Sequence, residues 1–531
     1  MIYYDSIIIG AGFSGLYQLH QCRDKLNLKT LVIEEGSDLG GTWYWNRYPG
    51  ARCDSESYTY GYTFSEKIYK NWTWKEKYPK QITILKYLKY VEKKLDLKKN
   101  ILFNNKIILA KYFESKKLWK LKTNKNKKLF CKYLICAVGS LSVANIPKIK
   151  GLNQYEGKYY HTGRWPKKNV NFKNQVVAQI GTGSSGIQTA PEISKKAKKL
   201  VIFQRTPNYS IPARNKKLTK EFIINFKKNY VKIKRLLKIT PGGHAFNFSN
   251  RSVFDLSKVE RNKIYEKAWS KGSLSFRACF VDITKNIKAN KTASNFIKEK
   301  ILKIVKDKKI AKILTNFDHP FTSKRPTLNT NYYETFNKKN VQLVDLKSNP
   351  ITQITKKGIK TKKNHFHFDK IIFATGYDAF TGPLLSLNLT GKKQIKLKDF
   401  WSKRPTSYLG LMIPNFPNLF IIQGPGSPSV LTNVPVQIEQ HVEWITNCLR
   451  FLKKNNKKSI EASINSANNW SGEIKKLADA SLFMKAKSSW YKGDNIPGKP
   501  KVFIPYPGGM PRYRNICNKV EKNQYKEFLI K

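Results

Sequence analysis

Two apolar, β-branched runs, each cut off by a glycine-rich turn, organise the chain. Residues 4–9 (YDSIII) end in an unbroken apolar stretch that reads as a buried strand. Gly10–Gly15 (GAGFSG) then forms a turn opening a helix to about Leu26, and TLVIE makes a second strand that closes at Glu34. The same order returns later: VVAQI, Gly181–Gly186 (GTGSSG), a helical stretch, and the strand KLVIFQ. Strand, turn, helix and strand repeated in this way build parallel sheets with crossover helices. Lys80–Leu97 has the spacing of an amphipathic helix, and Val436–Lys454 is expected to be helical as well. Tyr133–Ser140 (YLICAVGS) reads as a buried strand ending in a turn of small residues, suited to close approach by a bound group. Residues 215–316 are lysine-rich and helical in pattern, a different kind of sequence from either glycine-turn unit.

A G-x-G-x-x-G turn between a strand and a helix binds a dinucleotide for stated reasons. Gly10 permits the tight turn, Gly12 lets backbone approach a pyrophosphate, and Gly15 lets the helix pack on the strand. The helix N-terminus adds free N–H groups and positive dipole. Glu34, nineteen residues beyond Gly15, stands where an acid receives the ribose hydroxyls, with Glu35 as its neighbouring alternative. In the second unit Gly181, Gly183 and Gly186 take the same places. After KLVIFQ, however, come Arg205 and Thr206, where an NAD enzyme would carry an acid. A cation there meets a 2′-phosphate, so NADPH is preferred over NADH. Two such loops predict two dinucleotides and an α/β fold with two Rossmann-like domains and an inserted helical subdomain.

At 531 residues the chain is expected to form two or three domains. Its charge changes the picture more: 100 Lys+Arg against 35 Asp+Glu gives +65. Such a balance raises a nucleic-acid or anionic-membrane partner. Yet the lysines are scattered, as at Lys116–Lys117, Lys195–Lys199 and Lys453–Lys458, with no basic arm. Compositional bias explains this better, and no specific nucleic acid is expected as partner. Seven cysteines without a C-x-x-C pair or a Cys/His cluster predict neither a zinc site nor a disulfide framework. Cys131 and Cys136 read as buried structural thiols. No apolar run is long enough to span a membrane, and the first strand starts too early for a signal peptide. A cytoplasmic protein is expected.

Two segments carry the candidate chemistry. Gly40–Asp54 (GGTWYWNRYPGARCD) packs glycines, aromatics and arginines into one loop: on composition alone, either a wall beside a flat ring system or an ordinary aromatic loop. Tyr155–Pro166 (YEGKYYHTGRWP) lies between the two glycine turns and must connect their sites. The first resembles the G-G-x-W-x-x-x-x-[YF]-P-G-x-x-x-D signature of flavin-dependent Baeyer–Villiger monooxygenases. The second resembles that family's fingerprint F-x-G-x-x-x-H-x-x-x-W-P/D, with Tyr155 where Phe is usual. QRTP at Gln204–Pro207, Ser323–Asn337, ATGYD at Ala374–Asp378, GPGSPS at Gly424–Ser429 and Ser488–Pro500 fit as well, so the likeness covers nearly all of the chain. Gly424–Ser429 looks most like the phenylacetone-type branch.

The resemblance implies FAD at the first loop, NADPH at the second, and oxidation of ketones to esters or lactones by a flavin C4a-peroxide. It assigns Arg325 as the cation that stabilises negative oxygen near the flavin, with Asp54 holding it. It places Gly10, Gly12, Ser14, Gly15, Glu34, Thr42, Trp43, Trp45, Arg52, Asp54 and Tyr60 around FAD. Around NADP it places Gly181, Thr182, Gly183, Ser184, Ser185, Gly186, Gln188, Arg205, Thr206, Lys324, Arg325 and Trp490. The implied domains are 1–140 and 379–531 for FAD, 141–214 and 324–378 for NADP, and 215–323 for the helical insert. His161 is expected to act as a hinge or positioning group, since no acid lies near it in sequence to orient it. A flavin monooxygenase acting on nitrogen or sulfur is the rival, though its fingerprint lacks the ending seen at Trp165–Pro166. A disulfide reductase would need a cysteine pair where Trp43, Tyr44 and Trp45 stand. A basic nucleic-acid scaffold with degenerate nucleotide sites is a third alternative.

Overall fold

Continuous apolar strands have to be covered on both faces, and the first of them lies mid-sheet. In the computed structural model, which describes residues 2–531, Ile2–Ile9 runs parallel to Thr30–Ile33 on one side and to Lys128–Cys136 on the other. Ile7 faces Leu31 and Leu134 in these two registers, and Ile7, Ile8, Leu134 and Ile135 are fully buried. Ile101–Leu102 extends the sheet beyond Thr30–Ile33. An antiparallel meander of Ile107–Phe113, Leu118–Thr123 and Lys128–Cys136 extends it the other way. Leu389–Thr390 and Leu419–Ile421 join the same sheet in parallel from far down the chain.

The second sheet is all parallel: Val341–Asp345, Lys199–Gln204, Val176–Ile180, Lys370–Phe373 and Lys158–His161, in that order. Its last strand is the middle of the connecting fingerprint. From sequence this stretch reads as a connector, because four residues, K-Y-Y-H, are too short for periodicity to register. Its pairing, with His161 opposite Phe373, needs a partner strand some two hundred residues away.

The helices of the insert, Lys220–Lys228, Tyr230–Ile239, Lys258–Lys271, Ile287–Ile304 and Lys308–Leu314, do not form a separate body. Tyr265, Trp269, Phe276 and Phe296 share one core with Ile187 and Ala190 of the helix behind the second glycine turn. On the other side the Tyr230 hydroxyl donates to the Thr63 carbonyl. The seven cysteines are unpaired. No helix among the described residues is long and apolar enough to cross a membrane.

Candidate active site

The two glycine turns are built to one plan. Gly10 has φ +105°, and a Cβ there would meet the Ala137 carbonyl oxygen at 2.6 Å; Gly181 has φ +106° and would meet that of Ala374 at 2.4 Å. A methyl on Gly15 would fall 1.8 Å from the Gly10 carbonyl oxygen, and one on Gly186 2.3 Å from that of Gly181. These glycines are required by close packing of turn, strand and helix. A Cβ on Gly12 would meet Gly41 Cα at 3.3 Å, whereas Gly183, Gly139 and Gly376 face open space. Ser14 and Ser184 lie in the first turns of helices Phe13–His20 and Ser184–Ser194, whose N–H groups point into the two cradles.

Glu34, rather than Glu35, stands against the first turn. Its carboxylate accepts from the Ala11 and Gly36 N–H groups, both at 2.7 Å. Burial raises its pKa, against the pull of those two donors. Glu35 is more exposed and faces Arg164 at 3.2 Å and Lys106 at 3.7 Å. At the second cradle Thr182 donates to the Thr206 carbonyl at 3.3 Å, and Arg205 donates to the Ser488 hydroxyl at 2.7 Å. The Thr206 hydroxyl donates to Asp318 at 3.3 Å. Burial lowers the Lys324 pKa, and the Asp318 charge opposes that shift. A hydrogen bond with His319, at 2.9 Å, holds Asp318 down at about 2, helped by Lys324. Open glycine positions, free helix N-termini, a ribose-side acid and a cationic rim fit one dinucleotide at each turn.

Asp54 and Arg325, 271 residues apart, form a two-point ion pair. Arg325 Nε donates to Oδ2 at 2.8 Å and Nη2 to Oδ1 at 3.0 Å, and Nη1 donates to the Val430 carbonyl. Burial opposes ionisation of Asp54, but the guanidinium charge and its hydrogen bonds prevail and hold the carboxyl below its usual range. Burial likewise works against the Arg325 charge, and Asp54 raises its pKa above the ordinary value. The loop bearing Asp54 is pinned by Gln188 of the second unit. That amide accepts from the Tyr48 hydroxyl at 2.8 Å and the Arg52 N–H at 3.3 Å, and donates to the Arg52 carbonyl at 3.1 Å. The Arg52 guanidinium turns outward to the Tyr78 carbonyl at 3.3 Å and to Glu76 at 3.8 Å. Thr42 opens the short helix Thr42–Trp45, and the Trp43 indole donates to the Tyr60 hydroxyl at 3.3 Å.

Comparison with known proteins places these features in a family. A model described as "FMO-like: Flavin-binding monooxygenase-like" matches residues 5–237. The chain is 40% identical to a cyclohexanone 1,2-monooxygenase of Acinetobacter sp over 99% of its own length and 96% of the relative's. The chain belongs to the Baeyer–Villiger monooxygenase family. Among solved structures, a closed cyclohexanone monooxygenase superposes with a TM-score of 0.98 at 36% identity, over 100% of this chain and 99% of the other. A structure described as OTEMO complexed with FAD and NADP superposes with a TM-score of 0.96 at 35% identity, covering 99% of each chain.

In this Baeyer–Villiger monooxygenase the fingerprint ties the two sheets together. The Arg164 guanidinium lies 4.2 Å from the centre of the Trp45 ring and pairs with Glu35, and the Trp165 N–H donates to the Trp45 carbonyl at 3.3 Å. His161 Nδ1 accepts from the Gly163 N–H at 3.0 Å. Burial takes its pKa down to about 4, so the ring is neutral near pH 7. It packs edge-on against Tyr377, whose hydroxyl donates to Asn46 of the flanking loop. The segment around Trp490 rests on the same turn. Trp490 stacks on Phe380 at 5.7 Å, Asn495 donates to the Tyr377 carbonyl at 3.1 Å, and Lys499 pairs with Asp378. Sequence reasoning missed Asp318, His319, Tyr377 and Lys499 as site residues, since Asp318, Tyr377 and Lys499 act through partners distant in the chain and His319 acts through Asp318.

Proposed function

We propose that the protein converts ketones to esters or lactones, inserting one atom of O₂ and reducing the other to water with the electrons of NADPH. The observation that carries this reading is the Arg325–Asp54 fork, held by three hydrogen bonds, with the loop bearing Asp54 pinned to Gln188 of the second unit. Bound FAD, reduced by NADPH, supplies the activation of O₂. Arg325 supplies a fixed positive charge for oxygen that becomes negative as a carbonyl is attacked. Its guanidinium stays protonated at any working pH, so it stabilises such an anion without quenching it. A single preorganised donor of this kind is worth about 3–4 kcal/mol. Asp54 keeps the fork from rotating, and neutral His161 holds the strand that joins the two sheets rather than moving a proton. Gly10, Gly12, Ser14, Gly15 and Glu34 form the FAD cradle, with Thr42, Trp43, Trp45 and Tyr60 along the loop beside it. The NADPH site consists of Gly181–Gly186, with Arg205, Thr206 and Lys324 at the 2′-phosphate. Free thiols fit residence in the reducing cytoplasm.

The test is NADPH consumption by the FAD-loaded protein over linear, cyclic and aryl ketones, with product identification, against thioethers and amines. Esters or lactones from ketones are expected. Sulfoxides or N-oxides alone would favour the nitrogen- or sulfur-oxidising alternative. Arg325→Ala is expected to leave flavin reduction by NADPH intact while lowering ester formation about 100- to 1,000-fold. Full ester yield from that variant would remove Arg325 from its role.

A further inference from the structure

Beside the Arg325–Asp54 pair lies a second guanidinium with nothing to balance it. Arg277 sits in the short turn Leu274–Ala278, whose neighbours Leu274, Phe276 and Ala278 are buried in the aromatic core of the insert. That anchoring leaves Arg277 part-buried on the opposite side. Its Nε is buried without a hydrogen-bond partner, and no carboxylate among the described residues lies within ion-pair distance. Burial, then the nearby Arg325 charge, brings its pKa down to about 10, so it remains charged at neutral pH. Asp54 is already taken by Arg325, so the cluster carries one uncompensated positive charge.

The groups around Arg277 are also unpartnered. A Cβ on Gly242 would lie 3.1 Å from Arg277 Nη2 and 2.9 Å from His244 Cδ2, so both side chains converge on that turn. His244 is 4% exposed, and its Nε2 has no partner. The Ser429 hydroxyl, also buried and unpartnered, belongs to the residue before Val430, whose carbonyl takes Arg325 Nη1. Buried polar atoms without partners are costly, and folded proteins keep few of them. A lone guanidinium whose Nε has no partner, beside an imidazole whose Nε2 has none, describes a site whose missing partner is an anion. Arginine's planar fork matches a carboxylate in two-point contact.

We propose that Arg277 recognises an acidic group on the substrate, so that the preferred ketones are oxo acids whose carboxylate sits on Arg277 while the carbonyl is offered to Arg325. This rests on the ketone-oxidising reading above.

The experiment compares kcat/KM for a series of oxo acids of increasing chain length with that for their methyl esters, in wild type, Arg277→Gln and Arg277→Lys. It adds calorimetric binding of a non-reactive alkanoate to the FAD-loaded proteins. Wild type is expected to prefer the best acid over its ester about 10- to 150-fold, the range of one charge-assisted hydrogen bond. Arg277→Gln should bring that ratio near one and abolish alkanoate binding, while Arg277→Lys keeps part of both. A wild-type ratio near one, or a ratio unchanged in Arg277→Gln, would overturn the proposal. Should no ketone be oxidised at all, the ketone reading falls. Alkanoate binding that Arg277→Gln abolishes would still support the anion site, and its absence from wild type would refute it.

Discussion

Replacing Asp54 by Asn keeps the size of the side chain and removes the charge that fixes Arg325. In the native pair both carboxylate oxygens accept, at 2.8 and 3.0 Å. The amide of Asn has one oxygen left to accept, and its NH₂ must face a guanidinium N–H, donor against donor. One charge-assisted hydrogen bond is therefore lost, worth about 1.5–3 kcal/mol. At about 1.4 kcal/mol per factor of ten, ester formation should fall about 10- to 150-fold, less than for Arg325→Ala. The fork still holds the Val430 carbonyl through Nη1, which is why the loss stays partial. Stopped-flow measurement of flavin reduction should match wild type, while the ratio of ester formed to NADPH consumed should drop. Because Asp54 acts through Arg325, the double variant should be no slower than Arg325→Ala alone. Full coupling in Asp54→Asn would refute this account, and so would a double variant many-fold below Arg325→Ala.

Two further outcomes follow from the same geometry. A methyl on Gly15 would land 1.8 Å from the Gly10 carbonyl oxygen, while one on Gly183 would meet nothing within 4 Å. Gly15→Ala should therefore cost about 3 kcal/mol or more and lose FAD on gel filtration. Gly183→Ala should melt at the wild-type temperature yet raise the KM for NADPH at least tenfold by filling the space over the helix N-terminus. Acid should destabilise the fold, as melting or denaturant unfolding across pH 7 to 4.5 would register. Burial holds His161 at about 4, and His244 and His441 at about 3, while the unfolded chain takes up these protons near pH 6.5. Glu439 works the other way: burial keeps it protonated up to about 7, so the folded state gains one proton there. The unfolded chain thus binds about two more protons between pH 6.5 and 4.5. Stability is then complete above 6.5 and falls by about 2.7 kcal/mol per pH unit below it. A flat profile would contradict the burial of these rings.

Much of the fold was legible because its signals are local. Ile7–Ile9, the Gly10–Gly15 turn and the strand before Glu34 lie within thirty residues of one another, and the spacing of glycines dictates what the backbone can do there. The same holds from Val176 to Gln204. The helices seen at Gln81–Leu95 and Val434–Lys454 lie within two residues of the ends expected from the sequence, and the first shows why: an amphipathic face needs no distant partner to be recognised. Short elements did not declare themselves. Lys158–His161 and Leu419–Ile421 become strands only because an edge or slot in an existing sheet accepts them.

The sequence by itself determined that there are two dinucleotide turns, which of them carries an acid and which a cation, and which loop holds the aromatic residues. Those are properties of neighbouring residues. The family resemblance already paired Asp54 with Arg325, but only the tertiary structure showed the two-point geometry of that pair, that Glu34 and not Glu35 faces the first turn, and that the insert shares the second domain's core. It alone placed Arg277 without a counter-charge beside the ion pair. Electrostatic balance is a sum over neighbours in space, and the chain order of charged residues does not contain it.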